Sequence, residues 1–362
     1  VPPCDVNWTQ ESNGEFNGQH GIRSLNALKK EYLNGIINDL LAKGIISPAP
    51  HMTASPAHVA CNGQNSEGKP KFKLTVDARA ANDTQRVVHG NIPNMQQCVQ
   101  TTGGSEYYIE TDALQAYFQM PATDELCKLL AFSCHRGTFK FIGRMPLGYK
   151  NAPVAWNNIM GVVFGDCPEI TYYFDDIRAS ADTAADLLRK FRLLLQRCRQ
   201  FNLVLSYKKT FIGAKSTIMC GYLCDKNGYS LTDEQKLPML SIPFPASRHM
   251  LQKFLGSLTY LSNHVHQGKL LAIREIFLPH LKKDAPEKIK ATPELLKAFE
   301  AARDIVHNSL VLNGTPLPDR PMYIETDASY YGEAAVLFQY DDNGKKRILR
   351  LIARSFQGAE LN

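Results

Sequence analysis

Two aspartates side by side, at the end of an apolar and aromatic run, constrain this chain more than any other feature. The stretch is "EITYYFDDIRAS", Glu169 to Ser180. Adjacent carboxylates repel, so Asp175 and Asp176 either sit in a solvated turn between strands or hold a cation. The flanking residues read as a β-hairpin with the pair at its tip. A further acid, Asp112, closes a second strand-like run, "SEYYIETDALQAYFQMP", 63 positions earlier (175 − 112 = 63). Antiparallel central strands would bring these ends together. Three clustered carboxylates are stable only with cations, and Mg²⁺ suits them, because it takes oxygen ligands and completes its shell with substrate phosphates. Either motif alone is weak, since most strand-end aspartates are turn residues.

The chain has 362 residues, so two or three domains are expected. With 44% hydrophobic and 21% charged residues it has the material for a globular core. The net charge of +6 says little about partners, but its distribution says more. Between Leu187 and Lys215 lie Arg189, Lys190, Arg192, Arg197, Arg199, Lys208, Lys209 and Lys215, with no acid among them. Such a run is usually a solvated helix face, and it also suits a surface along phosphates. Nine cysteines without a framework read as reduced thiols in an intracellular setting. Cys220 and Cys224 have no second pair at zinc spacing, and His264 and His266 read as structural rather than metal ligands. No signal peptide and no membrane-spanning run is evident. The chain begins at Val1 and stops at "GAELN", which reads as a piece of a longer polypeptide.

Along the chain, residues 1–21 read as an irregular arm. A helix follows in "SLNALKKEYLNGIINDLLAKG", with Ser24 as N-cap and Gly44 as stop. "SPAPHMTASPAHVACNGQ" reads as loop and edge strand, and "KPKFKLTVDARAAND" as a strand entering a turn or helix. "TFKFIGRMPLGYKNAPVAWNNIM" reads as strand, Gly/Pro turn and a helix from Ala152. The hairpin is followed by an amphipathic helix capped by Asp182 or Thr183. Strands then lead to a turn at Asn227 and Gly228. Three helices come next, and then strand sequence with a hairpin turn at Asp341 to Gly344.

The ordered set "KFKLTVDARAAND", "IETDALQAYFQMP", "GRMPLGYKNAPVAWNNIM", "YYFDDI" and "LVLSYKKTFIGAKSTIMCGYL" resembles the motifs of reverse transcriptases, and more narrowly of gypsy-type LTR retroelements. The resemblance runs from about Leu33 to the C-terminus. It implies an α+β right-hand polymerase with fingers and palm over 22–230. Thumb and connection helices over 231–315 and a partial ribonuclease H-like α/β domain over 316–362 would follow. It implies that Asp112, Asp175 and Asp176 serve two Mg²⁺ ions, with Mn²⁺ as a substitute, and that Lys209 protonates the leaving pyrophosphate. Tyr117 would lie beneath the incoming sugar and exclude ribonucleotides, while Phe118 reads better as a core aromatic. Leu147 and Gly148 would pack on nucleotide and template, and Phe174 would press on the primer end. Lys73 would grip the triphosphate, with Lys71 and Lys69 as substitutes, and Arg79 would lie near the template. Ala60, Cys61 and Asn62 replace the family's lysine pair, which puts triphosphate affinity in doubt. Asp327 and Glu360 match two of the four ribonuclease H carboxylates, so RNA cleavage is not expected of this chain.

The implied activity is RNA- and DNA-templated DNA synthesis from dNTPs. Its implied partners are an RNA template, a DNA primer and the RNA–DNA hybrid. No membrane is implied, and a homodimer or contacts with other parts of a Pol polyprotein stay open. The implied location is the cytoplasm, within virus-like particles, with a nuclear stage open. The alternatives are a non-catalytic nucleic-acid-binding protein derived from such an element, and an RNA-dependent RNA polymerase.

Overall fold

The computed structural model describes residues 2–9, 24–64, 68, 70–261, 264, 267–282, 284–313, 315–329 and 332–355. The chain divides into two interleaved units, 1–93 with 112–168 and 195–208, and 94–111 with 169–194 and 209–362. Element labels run in chain order through both units. Among the described residues no helix is long and apolar enough to cross a membrane.

The first unit opens with α1 (Ala27–Ala42), whose buried Leu33, Ile37 and Leu40 recur at helical spacing. Asn26, and not Ser24, is its N-cap, its side chain accepting from the Lys29 N–H. Both residue types can cap; the chain simply enters the helix two residues later. Gly44 follows the last turn at φ +64°, where a glycine stops a helix without strain. A five-stranded sheet has the order β1 (Ile46–Pro48), β6 (Gly137–Phe141), β5 (Phe132–Cys134), β2 (Ser55–Gln64), β3 (Pro70–Val76). β2 is therefore not the edge strand expected, because it pairs with β3 on one side and, at Ser55 and Pro56, with β5 on the other. Its Pro56 is tolerated near the strand start, where one fewer N–H matters least. Phe132, Phe139 and Phe141 stack at 5.5–5.8 Å within this sheet. The short helices α2 (Arg79–Asp83) and α4 (Asp124–Leu129) and the longer α5 (Ala152–Phe164) complete the unit. Pro153 stands in the first turn of α5, as expected, where its missing N–H costs nothing.

The polar N-terminal arm, read as irregular, is strapped onto this unit. Cys4 exchanges backbone hydrogen bonds with Pro121 and Thr123 at 2.9 Å, and Thr9 donates to Thr84 at 2.8 Å. The Asn7 N–H donates to the buried Gln85 side chain at 2.7 Å.

The second unit holds α3 (Met95–Thr102) and a four-stranded sheet of order β7 (Thr171–Tyr173), β8 (Asp176–Ala181), β4 (Tyr107–Asp112), β9 (Phe211–Ala214). Two three-stranded sheets follow: β10 (Ser216–Met219), β11 (Tyr222–Asp225) and β12 (Gly228–Leu231), then β13 (Tyr323–Ser329), β14 (Gly332–Tyr340) and β15 (Lys346–Ser355). Asp225 pairs with Gly228, so the turn residues are Lys226 and Asn227, one earlier than expected. Gly228 instead opens β12 at φ +128°, where a Cβ would lie 2.0 Å from the Leu312 carbonyl oxygen.

Helix α6 (Ala184–Phe201) is capped by Thr183, whose hydroxyl accepts from the Asp186 N–H. Asp182, the other candidate, accepts from Glu106 N–H instead. Helix α7 (Asp233–Leu240) escaped the sequence reading, although "TDEQ" is a capping box between Thr232 and Gln235. The later helices are α8 (Arg248–Leu261), α9 (Gln267–Phe277) and α10 (Pro293–His307), and Phe254, Phe277 and Phe299 meet in the core.

His264 is buried, its ring stacked at 5.0 Å on Tyr222 and edge-on at 5.3 Å to Tyr229. That is the structural role expected of it. His266 lies outside the described residues. All nine cysteines are free thiols.

Candidate active site

The carboxylate pair sits on a hairpin. β7 and β8 are antiparallel with Tyr173 opposite Asp176, which leaves Phe174 and Asp175 as the connection. Phe174 takes φ +54°, a left-handed conformation that two-residue hairpins normally give to Gly, Asn or Asp. Its ring packs edge-on against Tyr173 at 4.9 Å, a contact that offsets part of a cost of about 1–2 kcal/mol. Asp175 is exposed at the tip and Asp176 half-buried.

β8 lies next to β4 in the sheet, and β4 ends at Asp112. Tyr108, Ile109 and Thr111 of β4 are fully buried, so the strand is fixed up to its last residue. Arg178 ties β8 to it, donating to the Thr111 carbonyl at 3.3 Å. The same guanidinium faces Glu110 at 3.5 Å and Asp176 at 3.6 Å. Thr217 donates to the other Glu110 oxygen at 2.7 Å. On the far side of β4, the Thr111 and Thr210 hydroxyls meet at 2.8 Å, next in sequence to Lys209. Lys209 itself closes a short 3₁₀ turn, Tyr207–Lys209, and is exposed.

Beyond Asp112 the chain runs antiparallel to the segment after α6. Ser206 N–H donates to the Asp112 carbonyl at 2.8 Å, and Leu114 N–H to Val204 at 2.9 Å. The Gln119 side chain donates to the Leu114 and Val204 carbonyls and accepts from the Val204 N–H. These bonds hold the 3₁₀ helix Ala116–Gln119, entered through Gln115 at φ +48°. Tyr117 and Phe118 are both half-buried there. The Phe118 ring tilts against Phe141 at 5.9 Å, the core contact expected of it.

The segment "PLGYKNAP" folds onto the start of α2. Gly148, at φ +92°, comes so close that a Cβ would lie 3.0 Å from the Val76 carbonyl and 3.1 Å from the Ala78 methyl. The expected close backbone approach is thus made to the chain's own β3–α2 turn. Asn82 donates to the Gly148 carbonyl at 2.8 Å and accepts from Lys150 N–H at 2.9 Å. Leu147 is half-buried beside it. The buried Tyr149 hydroxyl bonds the Asp5 carbonyl and the Asn7 and Asn151 side chains at 3.2–3.3 Å. Arg79 is exposed and forked onto Asp77 by two bonds of 2.7 Å. Lys73 and Lys71 are exposed on β3, Lys73 lying opposite Ala60; Lys69 is outside the described residues.

The basic run is less bare than its sequence. Arg189 pairs with Glu169 and Asp186, Lys190 with Asp186, and Arg197 with Asp166. Burial first, then the charges of Cys98 and Asp176, pushes the Cys220 thiol up to about 12. Burial pushes Cys224 up to about 12 and Cys98 to about 11, so these thiols near the hairpin stay protonated and unreactive at neutral pH. Asp327 is exposed on β13 opposite Ala334; Glu360 lies outside the described residues.

Among the described residues no group of three or more His, Cys, Asp or Glu side chains is assembled to hold a metal. The donors at the strand ends are carboxylate oxygens, which suits Mg²⁺ held by one or two carboxylates with phosphates and water completing its shell. Sequence reasoning passed over Arg178, Glu110, Asn82 and the Tyr149 hub. One clue existed: alternation along β8 puts Arg178 on the same face as Asp176.

A family model described as "Reverse transcriptase (RNA-dependent DNA polymerase)" matches residues 58–242, and one described as "RNase H-like domain found in reverse transcriptase" matches 292–362. A Pol polyprotein from transposon opus of Drosophila melanogaster is 24% identical over 335 residues, covering 90% of this chain and 33% of that protein. The enzymatic polyprotein of Cauliflower mosaic virus (strain CM-1841) is 27% identical over 346 residues, covering 92% and 49%. The chain therefore spans a third to a half of the length of these relatives. A foamy viral protease-reverse transcriptase solved with double-stranded DNA superposes over the whole chain and 61% of its own, with TM-score 0.83 at 20% identity. The same viral protein solved with an RNA/DNA hybrid gives TM-score 0.75 at 19% identity, over 47% of its own chain. The two units thus have the reverse-transcriptase polymerase fold expected, and the chain belongs to the reverse transcriptase family.

Proposed function

We propose that this chain copies RNA and DNA templates into DNA by extending a primer with dNTPs. The observation that carries the reading is the β7–β8 hairpin, which presents Asp175 at its tip while Arg178 holds β8 against the end of β4. Asp112 and Asp175 would hold two Mg²⁺ ions, with Asp176 in support. Bound there, the ions lower the cost of ionising the primer 3′-hydroxyl and neutralise charge on the phosphoryl group being transferred.

The chain's own residues supply the rest. Tyr117, on a 3₁₀ helix held by Gln119, stands beneath the sugar and leaves no room for a 2′-hydroxyl. Lys209 donates a proton to the departing pyrophosphate. Leu147 and Gly148 form the floor on which nucleotide and template pack. Lys73 and Arg79 contribute positive charge to the triphosphate and template, and Phe174 presses on the primer end. Template and primer are held through phosphates, so binding falls steeply with salt and shows little sequence preference. The substrate class is supported by the foamy viral relative, solved with double-stranded DNA and with an RNA/DNA hybrid.

Primer extension on poly(rA)·oligo(dT), with Asp175→Asn as control, tests the reading. Extension by the parent and loss in the variant is expected. Equal extension by both overturns the site, and salt-sensitive hybrid binding without incorporation in Mg²⁺ or Mn²⁺ overturns the activity.

A further inference from the structure

Arg178 is a charged side chain where charge is expensive. Among the described residues it is the one arginine or lysine in the buried class, at 3% exposure. A guanidinium taken out of water is strongly destabilising unless geometry and hydrogen bonds compensate. Here they nearly do. One Nη donates to the carbonyls of Thr111 at 3.3 Å and Ile177 at 3.0 Å, and the other to Ile218 at 2.9 Å. Glu110 and Asp176 supply the negative charge at 3.5 and 3.6 Å. Only Nε has no hydrogen-bond partner. One planar fork therefore joins β4, β8 and β10, and it does so at chosen places. Thr111 precedes Asp112 in the chain, Ile177 follows Asp176, and Asp176 is itself one of the charges.

We propose that Arg178 is a positioning residue for the carboxylate site, tying the strand that carries Asp176 to the end of the strand that carries Asp112. It anchors Asp176 by charge and fixes the end of β4, while Asp175 stands at the exposed tip to meet the ion. The inference rests on the polymerase reading and goes beyond it by dividing labour between the two aspartates. Geometry and charge predict opposite signs when the arginine is removed. A cation that merely sat near the site would repel Mg²⁺, and its loss would tighten metal binding. A cation that organises the ligands would leave them misplaced, and its loss would weaken binding. Groups that hydrogen-bond to metal ligands and hold them in place are typically worth about 10- to 100-fold in affinity.

The test uses the full chain without nucleic acid, with Mn²⁺ as probe and free Mn²⁺ followed by electron paramagnetic resonance. Arg178→Lys keeps the charge and loses the fork. Glu110→Gln/Arg178→Met removes the buried cation together with its half-buried partner, so that no uncompensated glutamate is left to unfold the sheet. Circular dichroism checks folding of each. Both variants are expected to bind Mn²⁺ roughly tenfold more weakly, with kcat for primer extension lowered and the dNTP KM little changed. Unchanged or tighter Mn²⁺ binding in the folded double variant overturns the proposal, as does a parent chain that binds no Mn²⁺. Failure of the polymerase reading looks different: the parent extends no primer, while Mn²⁺ binding still weakens in both variants.

Discussion

Lowering the pH from 7 to 4 should destabilise the fold through one residue of the second unit, His264. Its ring is stacked on Tyr222 and edge-on to Tyr229, its backbone carbonyl accepts from Leu310 N–H at 2.7 Å, and its Nδ1 has no hydrogen-bond partner. Burial, with a smaller push from the Lys236 charge, lowers its pKa from 6.5 to about 4; a separate hydrogen bond of the ring with the Leu310 backbone opposes this. The folded state thus keeps the imidazole neutral where the unfolded chain protonates it. Stability is fully present above pH 6.5 and is lost progressively as pH falls toward 4. The difference of 6.5 − 4 = 2.5 units corresponds to about 3 kcal/mol at the acid end. A domain of ordinary stability has roughly 5–15 kcal/mol in all, so the loss is large. Urea unfolding at pH 7.5, 5.5 and 4.5 measures it for the parent and for His264→Phe, whose ring keeps the stack but cannot protonate. Both tryptophans, Trp8 and Trp156, lie in the first unit, so far-UV circular dichroism and not tryptophan fluorescence is the probe. The parent should lose about 2.5 kcal/mol more than the variant between pH 7.5 and 4.5. Parallel curves for the two proteins would refute the argument.

Gly148→Ala forces a side chain into φ +92° and a 3.0 Å contact with the Val76 carbonyl, and should lower stability by more than about 1 kcal/mol in denaturant melts. Tyr149→Phe removes the hydroxyl shared by the arm, Asn7 and Asn151, and should cost about 1–3 kcal/mol, with faster proteolysis of the arm as a second readout. Tyr117→Ala should raise the ratio of rNTP to dNTP incorporation while leaving the melting temperature within a few degrees. An unchanged ratio would remove Tyr117 from sugar selection.

Much of the local architecture was legible before any coordinates. The hairpin at Asp175, the stop at Gly44, the start of α5 near Pro153 and the amphipathic α6 each follow from periodicity, a cap or a turn residue within a few positions. The motif order carried the family. What stayed hidden depends on partners far away in sequence. Arg178 was passed over, because nothing near it in sequence records that Glu110, 68 positions earlier (178 − 110 = 68), would stand 3.5 Å from its guanidinium. The arm looked irregular, because the hydrogen bonds that strap it down go to the distant Thr84, Gln85, Pro121 and Tyr149. β2 looked like an edge, since a proline rules out a donor but not a neighbour across the sheet. The basic run after the hairpin looked like a bare strip, until Glu169, Asp166 and Asp186 closed on it. Short-range propensity is written in consecutive residues, so the sequence by itself determined most of the elements and singled out the carboxylates proposed for the site. Which charges are buried, and what neutralises them, is a property of three-dimensional proximity, and only the tertiary structure decided it.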